Sequence, residues 1–68
     1  MDGGKFNMSM RKYLKQVGVT SQQAIEEHVR TRGETAGKMK LRMVLTAEGH
    51  DLEHVVEGEI DLEGAPGA

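Results

Sequence analysis

Between Lys38 and Leu45 charged and apolar residues alternate: Lys38, Met39, Lys40, Leu41, Arg42 and Met43, closing with Val44 and Leu45. A period of two is the period of an extended strand, whose successive side chains point to opposite faces. A second stretch, Leu52 to Leu62, answers the first. It puts Leu52, His54, Val56, Gly58, Ile60 and Leu62 on one face and Glu53, Val55, Glu57, Glu59 and Asp61 on the other. The first charged face is basic and the second acidic. Residues directly opposite in an antiparallel pair share a face, and opposite charges are favoured there. The expected register therefore pairs Arg42 with Glu57, Lys40 with Glu59 and Lys38 with Asp61. It sets Val44 against Val55, Met43 against Val56, Leu41 against Gly58 and Met39 against Ile60, and leaves Glu48 to Asp51 as a four-residue loop.

The residues before the hairpin follow a different period. Phe6, Met10, Tyr13, Leu14 and Val17 recur on one face of a 3.6-residue repeat, which predicts an amphipathic helix. Asp2, Asn7 and Ser9 compete to cap its start. Gly18 stands just past the last apolar residue, where a helix commonly ends in a left-handed glycine. Thr20 and Gln23 have the spacing of a capping box for a new helix, and Val19 between them reads as an apolar plug under a corner. A second helix is expected from Ser21 to Arg32, with Glu26 and Glu27 early and Arg30 and Arg32 late, an order that suits the helix dipole. Gly33 ends it, and residues 33–37 connect to the first strand. The predicted fold is α+β: two N-terminal helices joined by a tight Gly18-Val19-Thr20 turn, packed on a C-terminal two-stranded antiparallel hairpin.

A chain of 68 residues makes one small domain, read as residues 1–62 with a disordered tail at 63–68. It hides only about 60% of its extended-chain surface. The expected core draws Phe6, Met10, Tyr13, Leu14, Val17 and Val19 from the first helix and its corner, and Ile25 and Val29 from the second helix. The hairpin adds Met39, Leu41, Met43, Leu45, Leu52, Val56, Ile60 and Leu62. That is thin for a chain with no cysteine to staple it, so a partner subunit is the expected reinforcement. Both hairpin edges are unpaired as well. A symmetric homodimer is therefore expected, either joining edges into a four-stranded sheet or packing helix faces together. No apolar run has the form of a signal peptide or the length of a membrane helix, which points to a cytoplasmic protein with no membrane partner.

The chemistry-bearing residues do not converge. His50, Asp51, Glu53 and His54 cluster near the hairpin loop, but on a strand His54 and Glu53 point to opposite faces, so no metal site is expected. Ser9, Thr20 and Ser21 are explained as helix caps. Glu57, Glu59 and Asp61 face lysines and arginine on an exposed strand face, without the desolvation that a general acid needs. The glycines punctuate turns and do not form a phosphate loop. No catalytic residue, cofactor or metal is expected, and the chain reads as a non-enzymatic interaction module. Its candidate partner-binding residues are Lys5, Arg11, Lys12 and Lys15, which make the polar face of the first helix basic. The alternative is a nucleic-acid-binding domain of winged helix-turn-helix type, suggested by the order helix, turn, helix, hairpin. Against it stand Glu26 and Glu27 on the would-be recognition helix and a net charge of −2, which lacks a basic footprint.

The segment Phe6-Asn-Met-Ser-Met-Arg-Lys-Tyr-Leu-Lys, continuing as Gln16-Val-Gly-Val-Thr-Ser-Gln, resembles the opening of an uncharacterised family of short bacterial proteins. The closing strand Leu52-Glu-His-Val-Val-Glu-Gly-Glu-Ile is similar to that family's as well. The resemblance spans nearly the whole chain and implies a bacterial origin. That family has no known activity, so the resemblance implies no functional residues.

Overall fold

A computed structural model describes residues 3–33 and 35–65. One helix, α1 (Gly4–Arg32), is followed by strands β1 (Lys38–Thr46) and β2 (Glu53–Asp61), which form a two-stranded antiparallel sheet. The fold is α+β, as expected, but the two expected helices are a single helix of 29 residues. The Gly18-Val19-Thr20 segment lies inside it and does not turn. A glycine within a helix costs only about 1 kcal/mol relative to alanine, and Gly18 is not among the positive-φ glycines. Thr20 does not cap a new helix; its Oγ1–H donates to the Gln16 carbonyl one turn back at 2.8 Å, the alternative partner open to a threonine in a helix interior. Val19 is 45% exposed on the outer side and plugs no corner. Ser21, expected at a helix start, is half-buried in mid-helix.

The ends of α1 follow from local chemistry. Gly3 occupies the N-cap with no side-chain cap bond, so neither Asn7 nor Ser9 caps the helix. The Ser9 hydroxyl donates to the Phe6 carbonyl, and Asp2 lies outside the described residues. Gly33 closes the other end as the sequence predicts: its φ is 68°, and its N–H donates to the carbonyls of Val29 and Arg30. That left-handed geometry is open to glycine without a Cβ clash.

The hairpin has the expected register, with Arg42 opposite Glu57, Lys40 opposite Glu59 and Lys38 opposite Asp61. On the inner face Met43 meets Val56, Leu41 meets Gly58 and Met39 meets Ile60. Pairing stops at Thr46 and Glu53, so the loop is residues 47–52 and not the four expected. Gly49 takes a positive φ of 78° there, and the His50 N–H donates to the Ala47 carbonyl. The loop's own turn replaces the last rungs of the ladder, and Leu52 leaves the sheet, exposed. Past β2, the Leu62 N–H donates to the Gly37 carbonyl at 2.9 Å. This ties the hairpin's open end together and carries Leu62 into the core.

The helix lies against the inner strand face along one ridge. Val17, Ser21 and Ile25 are half-buried and Val29 is buried at 3% exposure, a series at four-residue spacing. Such a ridge winds slowly around a helix, so the contact line is inclined to the helix axis. Ala24 and Ile25 face Leu41, Gly58 and Ile60; farther back, Tyr13, Leu14 and Val17 face Met43, Leu45, His54 and Val56. The C-terminal end of α1 therefore sits over the hairpin's open end, and α1 runs antiparallel to β1. Twenty-nine helical residues span about 43 Å, whereas nine strand residues span about 30 Å. The N-terminal turns of α1 overhang the sheet, giving a long dimension of 50 Å.

The expected core is largely uncovered. Among the described residues only Val29 and Leu62, at 3% and 4% exposure, are fully buried hydrophobic side chains. Phe6, Met10, Tyr13, Leu14, Met43, Leu52 and Val56, all expected inside, are exposed. A single helix has one face to offer a two-stranded sheet. Two helices folded at a corner would have brought Phe6 and Met10 back over the hairpin; one straight helix carries them past its end.

Candidate interaction surface

Three surfaces follow from this geometry. The first is the outer hairpin face, where the charged ladder lies. Arg42 closes on Glu57 at 3.7 Å with both side chains about two-thirds exposed, a geometry worth at most about 1 kcal/mol. The basic residues of β1 thus meet acidic partners on the same chain. A shallow hollow of about 430 Å³ lies beside Gly58, walled by Lys40, Arg42, Glu57 and Glu59. It brings together no nucleophile and base; its charged side chains are exposed, with Arg42 and Glu57 paired across it.

The second surface is the open trough between α1 and the hairpin. One part, of about 510 Å³, is lined by Ser21, Ala24, Ile25, Leu41, Gly58 and Ile60 among others. A Cβ built on Gly58 would meet nothing within 4 Å, so the glycine and the small helix residues facing it leave the trough unfilled. A smaller part, of about 180 Å³, runs beside Tyr13, Leu14, Val17 and Val56. The walls are almost wholly apolar. Tyr13 and His54 are the polar side chains of the smaller part, Ser21, Arg42, Glu57 and Glu59 border the larger, and neither Tyr13 nor His54 is hydrogen-bonded to a carboxylate in a catalytic arrangement. His50, Asp51, Glu53 and His54 do not come together: among the described residues no three His, Asp or Glu side chains are grouped to hold a metal ion.

The third surface is the overhanging half of α1. Phe6, Met10 and Leu14, four residues apart, form a second ridge beside the buried one, with Tyr13 next to it. Phe6 is 67% exposed, and the other three are between 41% and 53% exposed. The candidate binding residues Lys5, Arg11, Lys12 and Lys15 are all exposed on this same half. Lys5, Lys12 and Lys15 lie about 140° to 160° around the helix from the ridge, and Arg11 about 100°. Met8, 74% exposed, sits among them. From Gly4 to Ile25 the helix carries these four cations and no acid, and its first turn holds no acidic residue. Lys5, in the first turn, opposes the helix dipole, so its placement does not serve the helix itself; Arg11, Lys12 and Lys15 lie in later turns, beyond the dipole's reach.

A family model described as "Family of unknown function (DUF6494)" matches residues 1–63. The chain belongs to that family. No curated protein and no solved structure matches it. For this DUF6494 chain, then, the surface must be read from its own chemistry. The helix-turn-helix reading has no basis in its shape, because the turn that would present a recognition helix is absent and Glu26 and Glu27 lie on the same continuous helix. No helix of the described residues is long and apolar enough to cross a membrane.

The exposed ridge was half legible in the sequence. Phe6, Met10 and Leu14 announce an apolar stripe, but the assumption of a corner at Gly18 assigned that stripe to the core. The missed signal is phase. The stripe continues through Val17, Ser21, Ile25 and Val29 at unbroken four-residue spacing, which a change of helix would have interrupted.

Proposed function

We propose that this chain is a non-catalytic interaction module, completed by a protein partner on the overhanging half of α1 and the adjoining inner hairpin face. The observation that carries this reading is an excess of surface. The chain exposes 6096 Å², whereas a compact monomer of its 7.5 kDa mass exposes about 4,200 Å². Its radius of gyration of 15.8 Å compares with about 11 Å for a compact chain of this length. Part of that surface is an apolar ridge, Phe6, Met10, Tyr13 and Leu14 standing exposed side by side, the mark of an interaction site. An apolar ridge supplies the anchor, and Lys5, Arg11, Lys12 and Lys15 supply a basic flank for acidic groups of a partner.

The test is a polarity-sensitive dye titrated onto the isolated chain at sub-micromolar concentration, beside circular dichroism. The expected result is dye fluorescence that falls several-fold in Phe6→Ser with Leu14→Ser, while helical signal persists. A chain that binds no dye and unfolds in one sharp transition at the same dilution would refute the reading, because its surface would then be self-sufficient.

A further inference from the structure

We propose that the occupant of the exposed ridge is a second copy of this chain, docked helix to helix about a two-fold axis near Met10, and not through the edges of the hairpin. This rests on the interaction reading above and names its partner. Two observations select the mode.

The first is charge. A two-fold axis can join hairpin edges only by pairing β1 with β1 or β2 with β2. With the strands fully overlapped, β1 pairing sets Arg42 against Arg42. The β2 pairing sets Glu57 against Glu57 and Glu53 against Asp61. Like charges directly opposite are destabilising. The complementary choice, β1 on β2, is head-to-tail and does not close into a dimer. Antiparallel α1 helices crossing at Met10 meet no such penalty. Phe6 of one copy then faces Leu14 of the other, Met10 faces Met10, and Lys5, Lys12 and Lys15 point away from the seam.

The second is area. Phe6, Met10, Tyr13 and Leu14, with Met43, Leu52 and Val56 near the hairpin's loop end, are all exposed. Covering them removes on the order of 650 Å² from each copy, close to the roughly 800 Å² per partner of a stable interface. The overhang also brings the N-terminal turns of one copy toward the uncovered inner hairpin face of the other, which its own single helix leaves open.

The chain has no cysteine, so single cysteines report contacts without interference. The experiment places Met10→Cys, Arg42→Cys and Glu57→Cys in separate full-length chains, each at the position that one mode of pairing sets against its own copy. It follows disulfide formation under mild oxidation, and measures mass by sedimentation of the wild-type chain and of Leu14→Asp. The expected result is a dimer that cross-links through Met10→Cys and not through either strand cysteine. Association of Leu14→Asp should be weaker by at least about 100-fold. Because Leu14 is exposed, the variant's circular dichroism is expected to match the wild type measured below its dissociation constant. Should Leu14→Asp lose that structure, the cross-linking pattern alone decides. A dimer cross-linked through Arg42→Cys or Glu57→Cys and not through Met10→Cys would overturn the helix-to-helix mode. A wild-type chain monomeric throughout the concentration series would overturn the second copy as occupant. The broader interaction reading survives that result if the monomer still binds the dye, and fails with it if the monomer does not.

Discussion

Replacing Gly18 with alanine separates one continuous helix from two helices joined at a corner by the sign of the effect. Within a helix, alanine is better than glycine by about 0.8–1.0 kcal/mol, because the glycine gives up more backbone freedom on folding. Nothing in the structure offsets that gain: a Cβ at position 18 would meet no atom within 4 Å. The expected stabilisation is therefore about 1 kcal/mol, a rise in Tm of about 4–8 °C for a domain of this size. Were Gly18 a left-handed helix stop, alanine there would instead cost about 1–2 kcal/mol. The assay is urea unfolding followed by helical circular dichroism. Protein concentration is held fixed, because self-association would add its own mass-action term. The result expected is a higher midpoint with an unchanged slope. A lower midpoint for Gly18→Ala would refute the single helix and restore the corner.

Gly33→Ala is expected to move the other way, destabilising by about 1 kcal/mol, since position 33 holds a φ of 68° that a Cβ disfavours; the same urea series checks it. Val29→Ala should cost about 2 kcal/mol because Val29 is fully buried. Phe6→Ala, though it removes a larger side chain, should change the midpoint by less than about 0.5 kcal/mol in a dilute monomer, where an exposed group has little to lose. Arg42→Glu should cost no more than about 1 kcal/mol, and combining it with Glu57→Arg should recover most of the loss. A double-mutant cycle in urea reads that coupling directly.

The sequence alone determined the hairpin. Period-two alternation fixes which residues share a face, a slip of one residue would turn every apolar group outward, and of the alignments that keep the faces the observed one matches three opposite-charge pairs where a slip of two matches two. Arg42 opposite Glu57 follows from those facts without reference to the rest of the molecule. Gly33 is likewise a local matter: a glycine after the last helical turn takes the left-handed conformation at no Cβ cost and turns its N–H onto the carbonyls of Val29 and Arg30. The segment at Gly18 was not decided locally. A glycine, a threonine and a glutamine at capping spacing each shift the balance by about 1 kcal/mol, and equally short-range forces hold the helix intact. Tertiary structure broke the tie. Keeping Val17, Ser21, Ile25 and Val29 on one unbroken ridge lays them along the inner hairpin face toward Leu41 and Ile60, whereas a corner at Gly18 would part Val17 and the residues before it from the other three. The same choice sends Phe6, Met10 and Leu14 past the end of the sheet. Their apolar spacing was written in the sequence, but the surface that they form exists only because the helix does not bend.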